Sequence, residues 1–384
     1  MRVRRCGLVM LEPAERVEFD LARLATGGTG LYTVIDWIAF VPHTGRSFTL
    51  TAAEAMALGE LSPSQWIDSA GPPADVLESL LAKGLVVEEG SDADARDQRV
   101  RGTDWRPTAA VMHFASRWRA VETEDLQKQF IDRYQDDLLD HLGPAPPAVR
   151  ERVPAAERLA LPRAPRSALD SLLDGRVTCR NFDRDRALSK ADFAAVLFRA
   201  FGARAVDDYA PGVELLKKGV PSAGGLHPTE AYLLVRRVED VAPGLYHYHP
   251  VDHALEPIRA MSLDDATALA HRFVGAQPYL LYAQAFVIPT SRFRRNFWKY
   301  RNHAKSYRAL ILDIGHLSQT LYLAATELGL AAFITAAVNE VDIEEAFGLD
   351  PLEEGPLAVT GFGIRAAERS EVEFDPLHKV WKDT

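Results

Sequence analysis

Cysteine is scarce in this chain: Cys6 and Cys179 are the only two among 384 residues. They are too few for a disulfide framework, which points to a reducing compartment such as the cytoplasm. A surplus of cations is also missing. Lys and Arg number 44 against 54 Asp and Glu, for a formal net charge of -10 and a pI ≈ 5.6. That balance disfavours a general polyanion binder, because neutralising phosphates requires excess basic charge, and no nucleic-acid partner is expected. Arg2, Arg4 and Arg5 precede a short apolar stretch, Cys6 to Leu11, but Glu12, Pro13 and Glu15 break it before a secretory h-region can form. No apolar run approaches the ~18 residues of a membrane-spanning helix, so no membrane partner is expected either. Gly27-Gly28-Thr29-Gly30 lacks the lysine of a phosphate-binding P-loop. His247, His249 and His253 have no cysteine or carboxylate at ligand spacing and read as turn histidines, so no metal site is expected.

What is present is a globular composition, 47% hydrophobic, in a chain long enough for two or more domains. Thr51-Ala52-Ala53-Glu54 has the capping-box spacing and predicts a helix start. Pro72 and Pro73 open a second helix with Val76, Leu77, Leu80 and Leu81 as its apolar stripe; Gly84 ends it and Leu85 to Val87 continue as a strand. Residues 1–90 therefore read as a small winged-helix-like domain. Ser91 to Arg101 is charge-rich without apolar period and reads as an exposed linker. Thr123 caps a helix with Leu126, Phe130, Tyr134 and Leu138 at helical spacing. Gly143 to Pro165 holds six prolines and reads as a semi-extended tether. Residues 91–166 are thus a linker with one helical segment, and residues 167–384 the main domain.

In that domain Ser167 with Asp170, and Ser189 with Asp192, mark two helix starts, and Gly202 closes the second. Strands are predicted over Ala231 to Arg236, Leu245 to His249 with a reversal at Pro250 to His253, and Leu357 to Ile364. Ser306 to Gly329 is the strongest helix, with Leu310, Ile314, Leu317, Leu321 and Leu328 among small residues. No internal repeat is found. The fold class is α+β, with helices around a central, mostly antiparallel sheet.

Three motifs carry chemistry. Pro221-Ser222-Ala223-Gly224-Gly225 runs through Leu226-His227-Pro228 into a strand, and its small residues let backbone press flat against a planar ligand. Arg176-Val177-Thr178-Cys179-Arg180-Asn181-Phe182 offers cations and a hydroxyl suited to a phosphate. Lys299-Tyr300 pairs an ammonium with a phenol. A phenol titrates near ~10 in water and a neighbouring cation favours its anion, so such a pair can move protons. Gly361-x-Gly363-x-x-Ala366 matches the dinucleotide fingerprint formally, but the residues after it leave no room for a βαβ unit, so Rossmann binding is rejected. Cys179 has no base placed near it and reads as a bystander.

Together these segments resemble the nitroreductase superfamily, and within it the SagB-type dehydrogenases that oxidise peptides during natural-product maturation. The resemblance covers Ser167 to Ile364. It departs from the family pattern in Thr178 for the usual serine, His227 where an aromatic Leu-Tyr-Pro position is usual, and Arg301 where glycine follows the Lys-Tyr pair. It implies FMN as cofactor and a homodimer with each flavin between two subunits. Arg176, Thr178 and Arg180 are implied to hold the phosphate and ribityl chain, and Pro221, Ser222, Ala223 and Gly224 to approach the ring. Thr335 and Ala336 are implied to place backbone against the ring, with Gly363 and Arg365 as a Gly-rich turn and a third cation. Tyr300 is implied as general base or acid with Lys299 as its electrostatic partner. The implied reaction oxidises azolines in a ribosomally made peptide to azoles, with a precursor peptide as substrate and a cyclodehydratase as partner; the winged-helix-like domain resembles leader-peptide recognition domains.

Two alternatives stay open at this level. One is a flavin-dependent reductase of dehydroamino acids or nitro compounds. The other is a peptide- or RNA-binding module that uses the strip from Ser291 to Arg308, where seven basic residues alternate with aromatics.

Overall fold

The computed structural model describes residues 1–68, 71–123, 125, 143–301 and 303–381. The chain divides into two compact units. The first comprises Met1–Arg117, Arg292–Ala309 and Asp350–Gly355; the second comprises Trp118–Ser291, Leu310–Leu349 and Pro356–Thr384. The helix expected around Leu126 to Leu138 lies outside the described residues.

In chain order, the amino-terminal elements are β1 (Arg2–Arg5), β2 (Met10–Phe19), α1 (Leu21–Ala25), β3 (Leu31–Val41), β4 (Arg46–Leu50), α2 (Ala52–Glu60), β5 (Ile67–Asp68), α3 (Ala74–Ala82), β6 (Val86–Glu88), α4 (Asp92–Arg101) and α5 (Pro107–Ala115). They form two three-stranded sheets, ordered β5-β1-β6 and β2-β3-β4. Helix α2 starts where the capping box places it: the Thr51 hydroxyl accepts from the Glu54 amide at 3.2 Å while the Glu54 carboxylate accepts from the Thr51 amide at 2.7 Å. Val76, Leu77 and Leu80 of α3 bury against Leu58, Leu50 and Val3.

The segment from Ser91 to Arg101 is a correction. It is helix α4 and no linker. Its drive is ionic: Asp94 and Asp97 point inward onto buried Arg4 at 2.6 and 2.7 Å, and Ser91 caps the Asp94 amide at 3.2 Å. An apolar-period search cannot see a helix whose inward face is carboxylate.

The remaining elements are α6 (Ala168–Gly175), α7 (Lys190–Phe201), β7 (Ala203–Ala210), β8 (Val213–Lys218), β9 (Thr229–Val235), β10 (Gly244–His249), β11 (Ala254–Ala260), α8 (Leu263–Phe273), β12 (Ala285–Arg292), α9 (Phe293–Tyr300), α10 (Ser306–Glu327), β13 (Ala331–Thr335), α11 (Glu340–Phe347), β14 (Glu354–Pro356) and β15 (Val359–Gly363). The main sheet runs β11-β10-β9-β12-β15-β13, each neighbouring pair antiparallel. Strand residues alternate between two apolar layers, as the period of two requires. Ala231, Leu233, Val235, Ala285, Val287 and Phe362 face Leu317 and Leu321 of α10 and Phe193 and Leu197 of α7. Leu234, Phe286, Ile288 and Phe333 face Ala266, Ala270 and Phe273 of α8 and Ile343 and Phe347 of α11. A sheet covered on both faces explains why α10 carries apolar and small residues on several sides.

Glycine at 361 and 363 has a packing cause. A Cβ built at Gly361 would overlap the Phe333 ring, and one at Gly363 would overlap the Gln284 side chain, whose Oε1 accepts from the Ile364 amide at 2.9 Å. Gly361→Ala is therefore expected to lower stability by about 1–3 kcal/mol through overpacking. Urea unfolding of the variant checks this; an unchanged midpoint would remove the packing explanation.

Candidate functional site

The small-residue loop is held from below by one carboxylate. Asp313 of α10 is buried, and it accepts the Ser222 hydroxyl at 2.5 Å and the Ala223 amide at 3.2 Å. The Ser222 oxygen in turn accepts from the His227 amide at 3.0 Å. Gly224 and Gly225 take left-handed φ of 60° and 69°, and even His227 is left-handed at 43°. A Cβ on Gly225 would meet nothing within 4 Å, so one face of the turn is open backbone. Pro221 and Gly224 are exposed, Ser222 and Ala223 half-buried. Burial pushes the Asp313 carboxyl up, against the Ser222 and Ala223 hydrogen bonds. The sequence reading missed Asp313. Its signal was available: an acid on the same helix face as Leu310, Ile314 and Leu317 needs an internal partner.

Around Arg176 the chain alternates. Val177 and Cys179 are buried, Thr178 and Arg180 exposed, and the Cys179 amide donates to Ala332 at 2.9 Å. Thr178 Oγ1 lies 3.0 Å from the Tyr322 hydroxyl, and the Arg176 guanidinium sits 5.4 Å from the Tyr322 ring centroid. Tyr322, on α10, is a second residue the sequence reading did not single out. Arg180 donates to the Val372 carbonyl at 3.0 Å and stands 5.2 Å from the Tyr279 ring centroid. Neither Arg176 nor Arg180 has a carboxylate partner among the described residues. Burial pushes the Cys179 thiol up to about 12, which keeps it protonated and unreactive.

Arg365 differs from its expected role as a free third cation, because it is ion-paired with buried Glu373. The same carboxylate accepts from the amides of Arg180 (2.6 Å) and Asn181 (3.1 Å), from Asn181 Nδ2 (2.8 Å) and from Trp381 Nε1 (2.8 Å). Asn181 Oδ1 accepts from the amides of Ser370 (2.8 Å) and Glu371 (2.7 Å). The carboxy-terminal segment is thereby strapped to the segment that carries Arg180. Burial alone would push the Glu373 carboxyl up, but these donors hold it below the usual range. Thr335 is tied to Gln277 Nε2 at 3.1 Å, Ala336 is exposed, and the side of Gly363 where a Cβ would stand is filled by Gln284. A cleft of about 500 Å³ opens beside Arg180, lined by Phe182, Arg184, Tyr279 and Tyr282 among others, but neither Arg176 nor the 221–225 loop lines it.

Lys299 and Tyr300 end helix α9, in the first unit. Phe293, Asn296 and Phe297 form the helix's buried face; Phe293 and Phe297 meet Trp105 at ring-centroid distances of 4.7 and 4.9 Å, and Asn296 donates to the Ser306 carbonyl at 2.9 Å. Lys299 is exposed, its ammonium 5.7 Å from the Tyr300 ring centroid, and Tyr300 is half-buried beside His303. The strip from Ser291 to Arg308 thus separates by side: Phe293, Phe297 and Tyr307 are buried and cannot stack on bases, while Trp298 and Lys299 remain outside. Among the described residues no group of three His, Cys, Asp or Glu could hold a metal ion. His247 instead bonds Glu256 at 2.6 Å, and His253 bonds the Tyr248 hydroxyl at 2.7 Å. No helix among the described residues is long and apolar enough to cross a membrane.

A two-sided antiparallel sheet with a small-residue turn over its central helix, and two arginines without carboxylate partners among the described residues, defines a class of α+β fold. The nitroreductase family model matches residues 173–364, half of the chain, and the chain belongs to that family. It is 36% identical over 159 residues to the trifolitoxin-processing protein TfxB of Rhizobium leguminosarum bv. trifolii, a match spanning 40% of this chain and 41% of that protein. It is 26% identical over 200 residues to the microcin B17-processing protein McbC of Escherichia coli, spanning 48% of this chain and 69% of that protein. Among solved structures, a chain of the E. coli microcin synthetase McbBCD complex with truncated pro-MccB17 aligns over 71% of this chain and 91% of its own length, at 22% identity and a TM-score of 0.46.

The residues present fit a flavin. Arg176 and Arg180 are cations without internal anions, and the face above Gly225 is open backbone of the kind a planar ring can approach.

The strap gives a prediction whose sign is fixed. A carboxyl held below its unfolded value stabilises the fold above that value, about 4.3, and the contribution disappears as pH falls through the lower folded one. Glu373→Ala should cost about 3–5 kcal/mol near pH 7, because it strands Arg365 and several donors. The urea-midpoint gap to the native protein should narrow below pH ~4; a gap constant down to pH ~3 would refute the assignment.

Proposed function

We propose that the chain is an FMN-dependent peptide dehydrogenase of the SagB type, which oxidises azoline rings in a ribosomally made peptide to azoles. The observation that carries the reading is the Ser222–Gly225 turn fixed by Asp313, left-handed at Gly224 and Gly225, together with Arg176 and Arg180, which have no carboxylate partner among the described residues. Family membership and the processing roles in the names of TfxB and McbC support it.

Arg176, Thr178 and Arg180 hold the phosphate end of the cofactor, Arg176 and Arg180 as cations and Thr178 through its hydroxyl. The backbone of Pro221, Ser222, Ala223 and Gly224 lies along the ring, and Asp313 keeps that backbone from relaxing. Thr335 and Ala336 offer further backbone to it. Gly363 and Arg365 act indirectly, Gly363 by admitting Gln284 and Arg365 by pairing with Glu373. When bound, FMN would supply a two-electron acceptor for the azoline ring. Tyr300 is the general base for the Cα proton, with Lys299 as its electrostatic partner. Aromatisation gives the ring its double bond, so one proton and one hydride leave for each azole formed.

The substrate is a precursor peptide presented after a cyclodehydratase has made the azoline, and the working form is a homodimer. The open face above Gly225 suits a second subunit closing over the ring. The reaction runs in the cytoplasm.

The test is aerobic turnover of an azoline-bearing peptide, read by the loss of two mass units per ring. Lys299→Ala and Tyr300→Phe should retain the flavin spectrum and lose turnover by about 10²–10⁴-fold, the usual worth of a positioned acid or base. Native turnover in Tyr300→Phe would remove the proton-transfer role. Rapid NADPH oxidation with a dehydroalanine peptide, and no azoline turnover, would replace the dehydrogenase by a reductase.

A further inference from the structure

In the first unit, β4, β6 and the helices α3 and α4 border a cavity of about 200 Å³ that the flavin reading leaves unused. Val41, Phe48 and Val87 give it an apolar floor, and Arg46, Lys83 and Arg96 a cationic rim. The charge is unbalanced. Lys83 is paired with Glu54, and Asp97, the carboxylate in the lining, is already committed. It accepts from the Gly7 amide at 2.6 Å and faces Arg101 at 2.6 Å and Arg4 at 2.7 Å. Arg46 and Arg96 have no carboxylate partner among the described residues.

His43 adds an independent sign of a missing ligand. Its Nδ1 is buried and has no hydrogen-bond partner among the described residues. Burial holds the imidazole below its ordinary value, although Asp97 pulls the other way. A neutral imidazole carries one N–H, and a buried donor without an acceptor is unfavourable.

We infer that this cavity binds a carboxylate carried on an aliphatic stem, the group that an acidic peptide side chain or a small dicarboxylic acid presents. Arg46 and Arg96 take the charge, His43 Nδ1 donates to one oxygen, and Val41, Phe48 and Val87 cover the stem. Free phosphate would satisfy the rim but leave that floor uncovered. Every residue involved belongs to the first unit, so the inference stands or falls apart from the flavin reading.

Fluorescence anisotropy on the full chain at low ionic strength tests it, with a labelled Glu-Val-Glu tripeptide amide as probe. Saturable binding is expected, with none for the Lys-Val-Lys counterpart. The double variant Arg46→Ala/Arg96→Ala should bind about tenfold or more weakly, because both charges are lost. Both arginines are exposed, and an unchanged melting curve verifies that the variant is folded. Glutarate should displace the probe and shift the His43 ring resonances at the same midpoint, while inorganic phosphate at equal concentration should not. Tighter binding of the tripeptide than of glutarate assigns the site to peptides, and the reverse order to small acids. Absence of saturable binding by both, equal binding by the variant, or displacement by phosphate as effective as by glutarate would overturn the inference.

Discussion

The site depends on a single buried acid. Asp313 lies on the face of α10 that otherwise carries Leu310, Ile314 and Leu317 into the sheet, where an unpaired carboxyl would be costly. Among the described residues it is satisfied by the Ser222 hydroxyl and the Ala223 amide, so the packing of α10 and the shape of the turn are one problem with one solution. Gly224 and Gly225 take left-handed backbone freely, but at His227 it costs conformational energy that a free loop would shed. Tied to a helix inside a two-faced core, the loop holds it.

The same economy recurs at the other end of the sheet. Glu373 has no apolar work to do, yet it is fully buried because Arg365, Asn181, Trp381 and the Arg180 amide converge on it. Its effect is to fix the backbone of the segment from Arg176 to Phe182 while leaving the guanidinium groups of Arg176 and Arg180 without internal anions. Sites of this kind place buried polar groups where they constrain backbone and leave exposed polar groups to meet the ligand.

Much of the fold was legible in the sequence. The capping boxes at Thr51 and Ser167, the cap at Ser189 and the hydrophobic periods of α3 and α10 all rest on local chemistry, and the structure repeats them within a residue or two. Helix α4 was not legible, because its inward residues are Asp94 and Asp97, which only their partner Arg4, some ninety positions earlier, makes compatible with burial. The site shows the same division. The 221–225 loop and the arginines announce themselves by residue type, whereas Asp313, Tyr322 and Glu373 act through contacts far away in sequence. Arg365 illustrates the same point: read as a third cation, it has its anionic partner in Glu373, which is visible only in the fold.

The open turn above Asp313 is the proposed seat of a planar redox cofactor. The visible absorption spectrum of the freshly purified protein, with mass identification of what heating releases, tests this most directly. The account predicts a yellow protein whose flavin bands disappear on heating as FMN is released, one per chain. A colourless protein that takes up no FMN on titration would contradict it.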